Sequence, residues 1–431
     1  MVHSKKHLSR VGILILSLIV AACETPTDSG TPFSTASVGY LVIDQDSEKV
    51  LLQKNPDRLF IPASTVKVPT SVAALDILGP DYRFETSLFG TGNITDGTLD
   101  GDLYLKGGGD PLLSVQDLMG LVQHLRAQGV RRVAGSFFYD DSFLTSSSEI
   151  TKSQPETAPY NPGISALSLD FNRIQPAPES YHGGTFTMPV KNPALRTATT
   201  FRRLAVMNGI NLPVPIARQT PPEATQLAKH QSPVLYEVLG AGLEFSNNLV
   251  SELIGATAAR TLMTNPAPLH TTSSILSKWL QSRIEKTDWT GYRVPNHSGL
   301  SAKARMSPQQ MVDVLRYADS RQYAGKFYRP LLPASGRRGS FRQRLHTPDV
   351  DARVWAKTGT MNYAKGLAGY LYTKTGKRFI FALFITDFEL REKYDSSLGR
   401  HATKQQQAVA AWIAKAEDLE ETLIRKWIDQ F

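Results

Sequence analysis

The sequence predicts an α+β protein in which segments from both ends of the chain complete one antiparallel sheet, with a smaller α+β domain inserted between them. Near the start, residues 38–53 have the pattern of a strand hairpin, and strand patterns recur near the end over 353–356, 365–372 and 378–385. Helical patterns occupy much of the stretch between them. Strands at both ends with helices between favour a single sheet shared by the two terminal segments.

The length of the chain also indicates more than one domain. A chain of 431 residues is too long for one compact core and predicts two or three domains. After the first helical region, short strands alternate with Gly, Asn and Asp turns, and apolar helical character returns near residue 234. We therefore assign residues 36–84 and 234–431 to the main domain and residues 85–233 to the inserted domain.

The other elements follow from periodicity and turn signals. The hairpin leads into a helix that starts at Ser64 and ends before Gly79-Pro80. A loop rich in Ser, Thr and Pro is predicted at 142–162. Further helices are expected at 114–128, 194–208, 234–239, 248–262, 272–286, 307–317 and 403–430, and further strands at 132–139, 165–171 and 185–190.

The first residues have the pattern of a secretory signal. Lys5, Lys6 and Arg10 precede an apolar run of twelve residues, which is short for a membrane span and fits the apolar region of a signal peptide. Cys23, the only cysteine of the chain, follows that run directly and resembles the lipidated cysteine of a bacterial lipoprotein. We expect a signal peptide at 1–22 and a tether at 23–35. The alternative is an ordinary signal peptide with an incidental cysteine.

The charge of the protein does not favour a nucleic-acid ligand. The formal net charge is +9, and it falls to +6 without Lys5, Lys6 and Arg10. An excess of this size is typical of a solvated surface, and basic residues do not interleave with aromatic ones. We therefore expect no nucleic-acid partner.

The first candidate for chemistry is the pair Ser64 and Lys67. Three residues are nearly one helical turn, so both side chains lie on one face of the predicted helix. The helix that follows is small and apolar, which predicts that Lys67 is buried. Burial disfavours the charged ammonium, and a neutral lysine could accept the proton of Ser64 and make it a nucleophile. Alone the pattern is weak, because a chain of this length should contain it about once or twice by chance.

Two further motifs strengthen the assignment. Ser246 and Asn248 form the only Ser-x-Asn of the chain, just before a helical pattern, and Lys357-Thr358-Gly359-Thr360 follows the apolar strand 354–356. A second Lys-Thr-Gly at 374–376 lies between two apolar strand runs, which is typical of an exposed hairpin turn. We therefore choose the first copy.

In this order, the motifs SxxK, SxN and KTG resemble the active-site triplet of penicillin-binding proteins and serine β-lactamases. The segments 105–111, 165–167, 296–301 and 366–369 are similar to the D-alanyl-D-alanine carboxypeptidase/endopeptidase family, peptidase family S13, the low-molecular-mass class C penicillin-binding proteins. The similarity extends from about residue 36 to residue 387. Asn296 stands where this family usually has an aspartate.

The resemblance implies a transpeptidase/β-lactamase-like α/β/α sandwich and a serine-type D-Ala-D-Ala carboxypeptidase and/or endopeptidase. Such an enzyme acts on peptidoglycan stem peptides through an acyl-enzyme, is acylated by β-lactam antibiotics, and uses no metal and no cofactor. The residues that carry over are Ser64 as nucleophile and Lys67 as base, Ser246, Asn248 and Lys357 as further catalytic residues, and Thr358, Gly359 and Thr360 as substrate-binding residues.

Two alternatives stay open at this point: a β-lactamase-like hydrolase, and a non-catalytic cell-wall-binding lipoprotein that kept the fold. The inserted domain argues against the first, and the intact Ser64, Lys67 and Lys357 argue against the second. If Cys23 is lipidated, we expect the protein in the periplasm of the bacterial cell envelope, anchored to a membrane by its lipid. We expect this membrane to be the outer one.

Overall fold

The computed structural model of the protein describes residues 33–34, 37–174, 187–337, 339–397 and 403–431. The predicted signal peptide, Cys23 and nearly all of the tether lie outside the described residues. In the parts that the structure describes, no helix is both long and apolar enough to cross a bilayer.

The strands of the described residues are, in chain order, β1 (Val38–Asp44), β2 (Val50–Lys54), β3 (Glu85–Gly90), β4 (Ile94–Thr95), β5 (Thr98–Leu99), β6 (Leu103–Gly107), β7 (Arg132–Val133), β8 (Phe137–Asp140), β9 (Arg173–Ile174), β10 (Met188–Pro189), β11 (Pro215–Ala217), β12 (Thr225–Gln231), β13 (Val354–Met361), β14 (Ala364–Tyr372) and β15 (Arg378–Thr386). The α-helices are α1 (Lys67–Leu78), α2 (Val115–Ala127), α3 (Pro193–Met207), α4 (Leu235–Glu244), α5 (Asn248–Arg260), α6 (Leu269–Arg283), α7 (Pro308–Asp319), α8 (Phe388–Ser396) and α9 (Thr403–Gln430).

The main sheet joins both ends of the chain, as predicted. Its order is β13-β14-β15-β1-β2, and all its pairs are antiparallel, with Val38 opposite Ile385 and Asp44 opposite Phe379. Strands β14 and β15 are mostly apolar and almost entirely buried because both faces of the sheet are covered. On one face Ala382 belongs to a core with α1, α5 and α7, and on the other Leu383 belongs to a core with α9. The α/β/α sandwich is therefore confirmed.

A second five-stranded sheet, in the order β11-β8-β6-β3-β12, is built within residues 85–231. It has its own apolar core with α2 and α3, in which Leu118 and Phe201 are buried. By their contacts, Phe33–Phe431 form one unit, so the boundaries at residues 85 and 233 stay predictions.

Two predicted strands differ from the structure. Residues 165–171 form a bend and the start of a 3-10 helix, Asp170–Asn172, and the Ser168 hydroxyl, which donates to the Ser165 carbonyl oxygen and accepts from the Asn172 amide, holds this local conformation. The predicted strand 132–139 is divided into β7 and β8, because β7 pairs with β5 whereas β8 pairs with β6 in another sheet. Of the strand predicted at 185–190, the structure describes only β10.

Among the elements that the sequence did not predict, strand β12 and helix α8 carry no apolar pattern. Strand β12 is polar, and as the edge of the second sheet it buries little besides Ala228. Helix α8 buries only Arg391 and Tyr394. Strand β13 also extends further than predicted, so that Lys357-Thr358-Gly359-Thr360 lies inside the strand instead of following it.

Candidate active site

Ser64 lies in a tight turn that feeds directly into α1. Residues Ala63–Val66 form a 3-10 helix, and α1 begins at Lys67, so Ser64 precedes the α-helix instead of lying within its first turn. Ala63 has a φ of 47°, in the left-handed region that costs a non-glycine residue free energy. Strain of this kind is often stored at functional sites.

The Lys67 ammonium contacts three oxygen atoms. Its Nζ lies 3.0 Å from Ser64 Oγ, 2.8 Å from Asn248 Oδ1 and 2.9 Å from the backbone carbonyl oxygen of Ser298. The side chain is almost completely buried, with 1% of its surface exposed. The predicted pair of Ser64 and Lys67 is therefore in hydrogen-bond contact, and Asn248 is its direct neighbour.

Burial lowers the pKa of Lys67 from 10.5 to about 7, against the opposing charge of Glu252. Desolvation accounts for the shift, and repulsion by Lys357 is not among its causes. Repulsion between the two ammonium groups acts on Lys357: burial first, then Lys67 and Lys365, lower its pKa well below the usual range.

Glu252, on α5, was not predicted from the sequence. It is fully buried and accepts hydrogen bonds from the backbone N–H groups of His297 and Ser298, at 3.0 and 2.9 Å. Burial raises its pKa, although hydrogen bonds from Ser298 and His297 and the charge of Lys67 oppose the shift. Glu252 therefore fixes the turn whose Ser298 carbonyl oxygen accepts from Lys67. Its place four residues after Asn248, on the same helix face, is the signal that could have identified it.

The turn at 296–299 lies directly against the Ser64 turn. Gly299 has a φ of +79°, and a Cβ there would lie 2.0 Å from the carbonyl oxygen of Ala63. Asn296 closes the turn from its side chain, since Oδ1 accepts from Gly299 N–H and Nδ2 donates to the Leu300 carbonyl oxygen. An aspartate at position 296 would lack the second of these hydrogen bonds.

The Ser-x-Asn motif lies at the start of α5. Asn248 is the first residue of the helix and also donates from Nδ2 to the backbone carbonyl oxygen of Tyr160, at 2.9 Å. It therefore joins Lys67 to the loop predicted at 142–162, a contact that the sequence did not indicate. Ser246 has a φ of 52° and lies in the wall of the same cavity as Ser64.

The Lys-Thr-Gly motif reaches Ser64 through the backbone. Strand β13 is the edge of the main sheet, and a Cβ at Gly359 would lie 2.7 Å from the Pro62 carbonyl oxygen and 3.1 Å from the Ser64 amide nitrogen. Glycine thus allows the strand to approach the Ser64 turn. Lys357 is fully buried, and its Nζ donates to the Thr358 carbonyl oxygen at 2.7 Å.

A cavity of about 430 Å³ opens over Ser64. Thr360 is exposed to it, whereas Lys357, Thr358 and Gly359 are buried. The cavity is lined by Ser64, Ser246, Asn248, Leu300 and Thr360, by Ser153, Gln154, Pro155 and Tyr160 of the loop, and by Met361, Asn362, Arg391, Tyr394, Asp395 and Gln406. The three motifs therefore meet at one cavity, with a hydroxyl and an amine in contact at its base.

The sequence model of the D-Ala-D-Ala carboxypeptidase 3 (S13) family matches residues 26–184 and 177–410. D-alanyl-D-alanine carboxypeptidase DacB of Haemophilus influenzae is 24% identical over 420 residues, covering 82% of this chain and 86% of that protein.

Solved structures share the fold. Penicillin-binding protein 4 of H. influenzae matches with a TM-score of 0.76 at 23% identity, covering 90% of this chain and 96% of that one. A penicillin G-acylated predatory endopeptidase of Bdellovibrio bacteriovorus matches with a TM-score of 0.55 at 18% identity, covering 90% and 93%.

Proposed function

The chain belongs to the D-Ala-D-Ala carboxypeptidase 3 (S13) family, and on this premise we propose that it is a serine-type D-Ala-D-Ala carboxypeptidase, endopeptidase or both. It acts on peptidoglycan stem peptides through an acyl-enzyme on Ser64 and is acylated by penicillin at the same residue. The observation that carries the proposal is the contact between Ser64 Oγ and the buried Nζ of Lys67.

The surroundings of Lys67 suit a base. A neutral amine has two hydrogens and one lone pair. Asn248 Oδ1 and the Ser298 carbonyl oxygen are acceptors only, so they take both hydrogens. The lone pair then faces the Ser64 hydroxyl, which can donate its proton to Nζ.

Acylation then follows from these positions. The Ser64 proton passes to Lys67, Oγ bonds to the penultimate D-alanine carbonyl carbon, and the C–N bond breaks once the leaving amine has received a proton through Ser246. The backbone N–H groups of Ser64 and Thr360 stabilise the oxyanion, since the β13 edge lies against the Ser64 turn. Water later hydrolyses the ester.

The substrate is held by the motif residues on β13 and α5. Thr358, Gly359 and Thr360, beside the side chain of Lys357, receive the terminal carboxylate of the stem peptide through hydrogen bonds. The amide of Asn248, fixed between Lys67 and the Tyr160 carbonyl oxygen, contacts the substrate backbone. These roles are supported by the meeting of the motifs at one cavity.

The rate of acylation is expected to rise with pH through about 7, the pKa of Lys67. Below this pH Lys67 is protonated and cannot accept the Ser64 proton, so the rate should fall about tenfold per pH unit and level off above about pH 8. The second-order rate of labelling by a fluorescent penicillin, measured between about pH 5.5 and 8.5, checks this. A flat profile across this range would contradict a neutral Lys67 as the base.

Glu252→Gln is expected to lower stability and to move the pH profile. The glutamine places an N–H group against the N–H donors of His297 and Ser298, so about 1.5–3 kcal/mol of unfolding free energy should be lost. The charge of Glu252 raises the pKa of Lys67. Removal of this charge should therefore move the midpoint of the pH profile of labelling from about 7 to a lower pH. Urea denaturation and the labelling profile measure the two effects.

The matched control is Glu237→Gln, at an exposed position on α4. It should change neither the denaturation midpoint nor the profile. A Glu252→Gln protein with wild-type stability would show that this buried carboxylate does not hold the turn at 296–299.

The function is tested by incubating the purified protein with fluorescent penicillin and with a D-Ala-D-Ala pentapeptide. A stable label that requires Ser64, together with release of D-alanine, supports the proposal. Fast loss of the label supports a β-lactamase, and the absence of any label supports a non-catalytic scaffold. A purified cross-linked stem-peptide dimer, followed by chromatography, measures endopeptidase activity in the same way.

For the location, we infer a lipid-anchored enzyme of the bacterial periplasm. The support is the order of Lys5, Lys6 and Arg10, the apolar run and Cys23. Anchoring in the outer membrane is part of this proposal. A Cys23→Ser protein that stays in the membrane fraction would contradict lipidation as the anchor.

A further inference from the structure

Lys365 is a buried lysine beside the active-site cavity that the proposed mechanism does not use. It lies on β14, directly opposite Thr360 in the antiparallel register, with 1% of its surface exposed. A lysine is rarely buried this completely unless it is paired. Its partners therefore indicate what the charge does at this position.

The Lys365 ammonium joins the substrate-binding strand to the C-terminal helix. Its Nζ lies 2.8 Å from Thr360 Oγ1 on β13, 2.7 Å from Glu417 Oε1 and 3.8 Å from Glu420 Oε2, both on α9. Glu420 is itself fully buried and accepts from Arg344 at 2.8 Å. Two carboxylates of α9 thus fix the position of the ammonium under Thr360.

The contact orients the Thr360 hydroxyl. An ammonium can only donate, so Lys365 occupies an acceptor position of Thr360 Oγ1. The hydroxyl hydrogen must then point elsewhere. Thr360 is exposed to the cavity, and its free donor is therefore available to an acceptor bound there.

The charge of Lys365 also acts at the site. Burial and the charge of Lys67 lower the pKa of Lys357, and Lys365 adds to this shift. On the other side, burial opposes the ionisation of Glu417, but the hydrogen bond and charge of Lys365 lower its pKa. The positive field of Lys365 therefore reaches the region where Lys357 and Thr360 lie.

We propose that Lys365 is a positioning residue for the terminal carboxylate of the substrate, which it recognises through the Thr360 hydroxyl that its fixed positive charge orients. Helix α9 takes part because Glu417 and Glu420 hold that charge in place. The inference rests on the proposed function, which places the carboxylate of stem peptides and penicillins at Thr360. In this proposal, helix α9 contributes to the specificity of the enzyme for substrates that carry a carboxylate.

The test compares two compounds that differ in this charge, benzylpenicillin and its neutral methyl ester. Lys365→Met removes the ammonium and keeps an unbranched side chain that is one heavy atom shorter. The second-order rate of acylation by benzylpenicillin is expected to fall about tenfold, as for the loss of a charge-assisted hydrogen bond. Acylation by the methyl ester should change by less than about threefold, since it has no carboxylate to hold.

The Lys365→Met variant should fold, because Glu420 keeps Arg344 as partner and Glu417 is partly exposed.

A second variant, Glu417→Gln, keeps the Lys365 ammonium but weakens its ion pair. It should shift the ratio of the two acylation rates in the same direction by a smaller factor. Lys374→Met is the matched control, since Lys374 also pairs with α9, through Asp429, at an exposed position.

A double-mutant cycle with Thr360→Val separates positioning from general weakening. If Lys365 acts through the hydroxyl, Lys365→Met should have little effect on the rate ratio in the Thr360→Val background. Equal losses for acid and ester, or additive effects of the two substitutions, would overturn the inference while leaving the proposed function intact. A wild-type protein that neither compound acylates would overturn the proposed function, and the inference with it.

Discussion

Ser64→Ala is expected to abolish covalent labelling by penicillin and the release of D-alanine. The substitution removes the only atom that can form the ester, so the rate should fall by about 10⁴-fold or more. Stability should change by no more than about 1 kcal/mol, because within the described part of the chain the lost hydroxyl makes one hydrogen bond, to Lys67. Intact-protein mass spectrometry after incubation with benzylpenicillin measures the adduct, and a thermal melt measures the fold.

The control for this substitution is Ser274→Ala, at an exposed position on α6 away from the cavity. It should be labelled at the wild-type rate. A Ser64→Ala protein that still carries one penicillin adduct would show that another residue is the nucleophile, and peptide mapping would then locate it.

Lys67→Met is expected to slow acylation by about 10³-fold, within the range for loss of a general base. Methionine fills a similar volume without a charge, so the desolvation cost of the amine is removed. This gain is offset because Asn248 Oδ1 and the Ser298 carbonyl oxygen lose their donor. The melting temperature should therefore change little. Stopped-flow labelling with fluorescent penicillin measures the rate.

Lys374→Met provides the matched control, because the same substitution is made in the second Lys-Thr-Gly copy, in the turn between β14 and β15. It should leave the acylation rate unchanged. If Lys67→Met were acylated at a near wild-type rate while Lys357→Met was not, Lys357 would have to be the base.

The structure confirms the predicted architecture where the sequence has a strong pattern. The apolar runs of β14 and β15 indicate strands buried on both faces, and the apolar run around Val42 with the polar turn after it indicates the hairpin whose first strand pairs with β15. The polar β12 and α8 were missed, because an edge strand and a surface helix bury too little to leave an apolar period.

The sequence alone also predicts the three motifs of the candidate active site and their order along the chain. By type and spacing, the sequence predicts Ser64, Lys67, Ser246, Asn248 and Lys357 as site residues, and the structure brings their three motifs to one cavity. The contact between Ser64 and Lys67 could be predicted because it is local, within one helical turn.

Only the tertiary structure determines the burial, the pKa values and the hydrogen-bond partners of these residues. Burial lowers the pKa of Lys67 to about 7, and Asn248 and Ser298, which are 181 and 231 residues away along the chain, accept hydrogen bonds from it. For Glu252 the spacing from Asn248 indicates the helix face, but only packing decides that the carboxylate is buried, and no local pattern marks Lys365 as a buried ammonium. Charge and hydrogen-bond effects depend on distances of a few ångströms and on exclusion of water, and both arise only when distant segments pack together.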